Sequence, residues 1–140
     1  MSNSHVYNCL NIHFVFGTKH HHHLLPADHR DALNSKIEEI CQKEGCRVWA
    51  VNNYKNHVHL LLNVPGRLAP AGLMRVVKAN SSRWYREYSG LGNKFSWQTG
   101  YSMFAVEKER LPQLKSYINN NPEIHKARER RRRERAENKR

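Results

Sequence analysis

The stretch Asn56-His57-Val58-His59-Leu60-Leu61-Leu62 decides the reading of the fold. On an extended backbone alternate side chains point to opposite faces, so Val58, Leu60 and Leu62 enter a core while His57 and His59 project together from the other side. A strand over residues 57–64 follows. Just upstream, Asn52 to Asn56 is polar and turn-like, and Arg47 to Val51 carries Val48, Trp49 and Val51, which suit a pleated surface. These two strands are expected to form a hairpin.

Working outward, Leu33, Ile37, Ile40 and Cys41 recur at helical spacing, with Asp28 and Asp31 suited to a first turn and Gly45 to a stop, so a helix is expected over 28–44. Between Val6 and Phe16, Leu10, Ile12, Phe14 and Phe16 alternate with Asn11, His13 and Val15, the period of a strand with one buried face. The loop after it holds His20 to His23, read as a native loop or strand end rather than a metal-binding tract. On the other side of the hairpin, Pro65, Gly66 and Pro70 punctuate a loop, and Leu73, Val76, Val77, Asn80, Trp84 and Tyr88 define one face of a second helix. Phe95 to Val106 reads as a fourth strand bent or interrupted around Gly100, and Glu109 to about Asn121 as a final helix with Pro112 in its first turn.

The order β, α, β, β, α, β plus a last helix is that of an α+β protein: a ferredoxin-like (split βαβ) antiparallel sheet with a C-terminal tyrosine-bearing helix. Two helices on one face of such a sheet leave the other face available. The chain's 140 residues suit one domain, taken as 1–125, followed by a basic tail, 126–140, read as a solvated helix or flexible arm.

Charge narrows the function. The 24 Lys and Arg against 12 Asp and Glu give +12, of which the tail, with nine basic and three acidic side chains, supplies half. That balance is expected of a protein that meets phosphate. The cysteines Cys9, Cys41 and Cys46 match no zinc-finger spacing or disulfide framework, and the apolar runs are far too short to span a membrane. A cytoplasmic protein is expected.

His57 and His59 side by side on rigid backbone can ligate one divalent cation. Tyr117 and Asn121, spaced i, i+4, are expected on one helical face, so a phenol and an amide oxygen could reach the same point. Lys55, Arg67, Lys78 and Arg83 are candidate phosphate contacts. Trp84, Tyr88 and Trp97 could stack bases, but their spacing places them more readily in the core.

From about Tyr7 to His125 the chain resembles the single-tyrosine HUH transposases of very small insertion sequences, the 200/605 group, which includes the REP-associated tyrosine transposases. The features that carry it are Thr18-Lys19 after the first strand, Asn56 to Leu62, Lys78-Ala79-Asn80-Ser81-Ser82, Phe95 to Tyr101, and the Tyr117-Ile118 helix. The resemblance implies a cation-dependent nuclease and strand transferase for single-stranded DNA with hairpin ends, acting as a homodimer through a 5′-phosphotyrosine intermediate. It makes Tyr117 the nucleophile and His57 and His59 ligands of Mg²⁺ or Mn²⁺. Asn121 stands where the family typically has glutamine, one methylene longer, and Glu123 or His125 could substitute as the third ligand. A domesticated protein that binds hairpin DNA or RNA without cutting is the alternative, and a ferredoxin-like domain with a zinc site a third.

Overall fold

A computed structural model describes residues 8–138. Val6 and Tyr7 of the expected first strand, and Lys139 and Arg140 of the expected tail, lie outside them. Strands β1 (Asn11–Gly17), β2 (Arg47–Tyr54), β3 (His57–Asn63) and β4 (Ser102–Ala105) form one antiparallel sheet in the order β2-β3-β1-β4. Helices α1 (Arg30–Lys43) and α2 (Pro70–Ser89) pack on one face, and α3 (Leu111–Asn119) on the other, followed by α4 (Asn121–Asn138). The split βαβ arrangement is present. Its second face, expected to be open, is covered by α3 along β2 and β3.

The alternation in β1 and β3 works as the sequence implies. Ile12, Phe14 and Phe16 meet Val58, Leu60 and Leu62 under α1 and α2, each such side chain stabilising the fold by about 1.5–3 kcal/mol on burial. Leu10 is half-exposed and precedes the strand. On the other face Leu61 joins Ala50, Leu111 and Ile118 in a smaller cluster that anchors α3.

The polar segment 52–56 is mostly strand rather than turn. Asn52, Asn53 and Tyr54 pair with His59, Val58 and His57, leaving only Lys55 and Asn56 to reverse the chain, Lys55 with φ +52°. These asparagines extend the strand because their amides find partners. Asn53 Nδ2 donates to the Arg30 carbonyl and Asn34 Oδ1, while Asn52 Nδ2 donates to the carbonyls of Ile118 and Asn119. A β-bulge between Val48 and Ala50 shifts parity by one, turning Ala50, Asn52 and Tyr54 toward the face that bears the histidines.

The buried stripe of α2 is Leu73, Met74, Val77, Ser81 and Tyr85, rotated from the expected face. Two polar groups turn inward because each is satisfied. Ser81 Oγ accepts from Trp97 Nε1 at 3.0 Å, and Tyr85 Oη donates to the Leu24 carbonyl at 2.7 Å. Trp97 is in the core, whereas Trp84 and Tyr88 stack on each other at its rim, with Tyr88 46% exposed.

Gly45 ends α1 at φ +90°, and a Cβ there would stand 2.7 Å from Arg67 Nη2. Gly45→Ala therefore lowers the unfolding free energy by about 1–2 kcal/mol, chiefly through the left-handed backbone, as read by urea denaturation.

The expected final helix is α3, and the tail, expected as a solvated helix or flexible arm, is helical and belongs to α4. Pro122 lacks the N–H that an unbroken helix would pair with the Ile118 carbonyl, so the chain breaks at Asn120 and restarts at Asn121. Asn52 supplies the missing donor from β2. Helix α4 then runs to Asn138, exposed over its whole second half.

Candidate metal and nucleophile site

The site lies on the α3 face of the sheet, where β3 ends at the hairpin tip. His57 and His59 point the same way, their ring centroids 5.1 Å apart. His125, one helical turn into α4, closes on them from above: its ring is 4.8 Å from that of His57 and lies nearly parallel to Tyr54, at 5.3 Å and 11°. Ligand atoms of His57, His59 and His125 all lie within 4.8 Å of one another. Nitrogens around one ion at bonds of about 2.1 Å sit roughly 3–3.5 Å apart, so modest side-chain rotation brings this set onto a common centre.

Asn121 is fully buried and belongs to the same cluster. Its Oδ1 lies 3.2 Å from His57 Nε2, while His57 Nδ1 lies 3.0 Å from Asn56 Oδ1. A neutral imidazole has only one N–H to give to these two oxygens. With Nδ1–H donated to Asn56, the lone pairs of His57 Nε2 and Asn121 Oδ1 aim at the same space, which suits a shared cation. Asn121 Nδ2 is buried with no hydrogen-bond partner.

Tyr117 comes from α3, half-buried against Leu61 and Ile118, its ring edge-on to His59 with centroids 6.0 Å apart. The i, i+4 pair Tyr117 and Asn121 spans the joint at Asn120, and both side chains reach the histidine cluster. The two side chains reach the cluster from separate helices, Tyr117 beside His59 and Asn121 beside His57. A cleft of about 360 Å³ opens next to Tyr117, lined also by His13, Phe104, Arg110 and Gln113, large enough for a nucleotide.

Burial acts first on every imidazole of the cluster. It pushes His59 down to about 3, helped by His57, His13 and His125. His57 is lowered by burial and by His125, partly offset by the Asn121 amide oxygen, which would accept from its protonated form; His125 by burial and then Arg128; His13 by burial. All are therefore neutral at pH 7, the form that binds metal. Unfolded, His59 titrates at 6.5, so the unfolded chain takes up its proton first. The stability this histidine contributes is complete above pH 6.5 and is lost as pH falls toward about 3. In EDTA, lowering the pH from 7 to 5 is expected to cost about 2 kcal/mol through His59 alone, read as a lower urea midpoint.

His13 carries no signal of its own in the sequence beyond its place on the polar face of β1. The β1–β3 register sets it beside His59, Nε2 to Nδ1 at 2.9 Å, with the rings stacked 5.1 Å apart. One strand's sequence does not give the register of its partner, so this contact was not legible. Of the expected phosphate contacts, Lys55 lies at the site but is bonded to Glu129 of α4 at 3.0 Å. The other three lie away from the histidines, toward the α1 and α2 layer. Arg67 donates to the Glu44 carbonyl, Lys78 donates to the carbonyls of Gln98 and Gly100, and Arg83 is exposed on α2. His20 to His23 are exposed, and among the described residues the cluster His57, His59 and His125 is the metal-capable grouping.

The chain is 26% identical over 117 residues to the transposase for insertion sequence element IS200 of Salmonella typhimurium, covering 80% of this chain and 76% of that one. It is 26% identical over 114 residues to the ISDra2 transposase TnpA of Deinococcus radiodurans, covering 78% and 81%. Two solved structures share the fold. One is a Deinococcus radiodurans R1 protein described as a transposase, at TM-score 0.67 and 23% identity over 87% of this chain and 97% of the other. The other is the REP-associated tyrosine transposase bound to a REP hairpin, at TM-score 0.62 and 20% identity over 89% and 74%. Residues 5–121 match the family model described as IS200-like transposase. That span takes in all four strands, His57, His59 and Tyr117, and the chain belongs to the IS200-like transposase family.

Proposed function

We propose that this transposase cuts and rejoins single-stranded DNA with hairpin ends, using Tyr117 as nucleophile at a divalent-metal site formed by His57, His59, His125 and Asn121. The observation that carries the reading is the gathering, within one chain, of three imidazoles beside a buried amide oxygen, with the Tyr117 ring edge-on to one of them. Three imidazoles suit Mn²⁺ better than Mg²⁺, which prefers oxygen. When bound, the cation supplies charge that polarises the scissile phosphate and steadies its oxygens as negative charge accumulates.

The chain's own residues do the rest. Asn121 and the three histidines would hold the cation that positions the phosphate; Leu61 and Ile118 anchor α3, which carries Tyr117 beside His59. Tyr117 Oη attacks phosphorus, forming an O–P bond as the bond from phosphorus to the 3′-oxygen of the preceding nucleotide breaks; the phenolic proton passes to solvent through the cleft, and the departing 3′-oxygen takes a proton from solvent to become a hydroxyl. The 5′-phosphotyrosine keeps the phosphodiester's transfer potential, so a second 3′-hydroxyl can reverse the step at a new junction without ATP. Phe104, 55% exposed and packed against His13, offers a stacking surface for a base beside the phenol.

The same reading takes 1–125 as the catalytic unit and 126–140 as its basic appendage, working in the cytoplasm as a homodimer. Tyr117 meets His59 within one chain, so the reading requires no exchange of the tyrosine between subunits. Among the described residues no helix is long and apolar enough to cross a membrane. Incubation with end-labelled single-stranded DNA carrying a hairpin, in Mn²⁺, is expected to give a label that migrates with the denatured protein and disappears with EDTA. Retardation of the DNA without any adduct would favour the non-cutting alternative.

A further inference from the structure

Helix α4 has two sections with one continuous stripe. At its start Asn121 and His125 face the histidine cluster, and Glu129 ties the next turn to Lys55 and Tyr54. Steps of three and four residues keep a helical face in register, so the stripe of Asn121 and His125 continues through Arg128, Arg132 and Arg135. All three arginines are exposed. Arg128 and Arg132 stand about one and two turns beyond His125 on the same side of the helix, which continues the stripe outward from the site.

We infer that Arg128, Arg132 and Arg135 form a rail for the phosphate backbone of the single strand that leaves the metal site along α4. The inference rests on the reading of His57, His59 and Tyr117 given above and adds where the flanking strand goes. At 1.5 Å of rise per residue the rail extends about 15 Å from His125 to Arg135, in steps of about 5–6 Å, so each guanidinium can engage a separate phosphate. Guanidinium groups pair with phosphate oxygens in bidentate fashion and read no base, as a flank of variable sequence requires. The all-round polar surface of α4 beyond Glu129 buries nothing against the body, which leaves this face free for a polyanion. Lys126, Arg130 and Arg133 point the opposite way around the same helix and supply an internal control of equal charge.

The test uses full-length protein carrying Tyr117→Phe, so that binding is read without cleavage, and an oligo-dT strand as probe in Mn²⁺. Binding is measured by fluorescence anisotropy across a salt series. Alanine at Arg128, Arg132 and Arg135 together is expected to make the slope of log affinity against log salt shallower by about 2, since each lost single-strand phosphate contact is worth about 0.7. Alanine at Lys126, Arg130 and Arg133 removes the same charge and is expected to leave the slope within about 0.5 of the parent. Alanine favours helix, and circular dichroism checks that α4 persists in both. Equal loss in the two triple variants overturns the rail and leaves the tyrosine reading standing. No binding of the strand by the parent protein overturns the single-strand reading itself.

Discussion

Tyr117→Phe is expected to abolish the covalent protein–DNA adduct completely while leaving affinity for the same DNA within about twofold. Phenylalanine keeps the ring that packs against His59, Leu61 and Ile118, so α3 stays in place and the imidazole cluster is undisturbed. What is lost is one oxygen, the only atom of this side chain able to attack phosphorus. The measurement is a denaturing gel of end-labelled single strand with Mn²⁺ and protein. The wild type gives both an adduct and a shortened 3′-hydroxyl fragment, and the variant gives neither. Should the variant still yield the fragment at more than a trace, water or another side chain is the attacker, and Tyr117 would be packing alone.

The second large effect is expected at His59. His59→Ala removes one imidazole of the proposed metal set, whose ligand atoms lie within 4.8 Å of one another, so Mn²⁺ affinity should fall by more than the roughly 10–100-fold that outer-shell changes cost. His13→Ala, which removes only the group that bonds His59 Nδ1, should fall within that 10–100-fold range. The contrast between the two is the informative quantity, measured by Mn²⁺ electron paramagnetic resonance titration without DNA. His59→Ala has a further consequence for stability. It deletes a buried imidazole whose pKa is pushed down to about 3, so the acid sensitivity of the metal-free protein should shrink in the same variant. If His59→Ala binds Mn²⁺ as the wild type does, the cluster is not the metal site.

Much of this could be read from the chain because the strands carry strong period-two patterns. His57, His59 and their apolar partners in β3 follow from alternation alone, and the order of elements set the topology. Legibility failed where partners decide the outcome. Asn52 and Asn53 look like turn residues until the carbonyls of Ile118, Asn119 and Arg30 are there to receive their amides. Ser81 and Tyr85 look solvent-facing until Trp97 and the Leu24 carbonyl complete them. From the sequence His125 is only a substitute ligand, because its meeting with His57 depends on how α4 packs over the hairpin tip. The placement of Lys78 shows the same limit from the other side: its charge suggested phosphate, but two carbonyls of the loop before β4 already occupy its ammonium.

The interruption between α3 and α4 separates two duties that one rigid rod would have fused. With Asn52 bonded to the last carbonyls of α3, the helix that carries Tyr117 is anchored to the sheet; beyond the joint, Asn121, His125 and Glu129 fasten the first turns of α4 to the histidines and the hairpin tip, and only the arginine-bearing turns after them stand clear of the body. A transferase must grip a strand, let its cut end travel and receive another, all while its reactive atom keeps station. In this chain Pro122 marks the joint at which the anchored helix gives way to the projecting one.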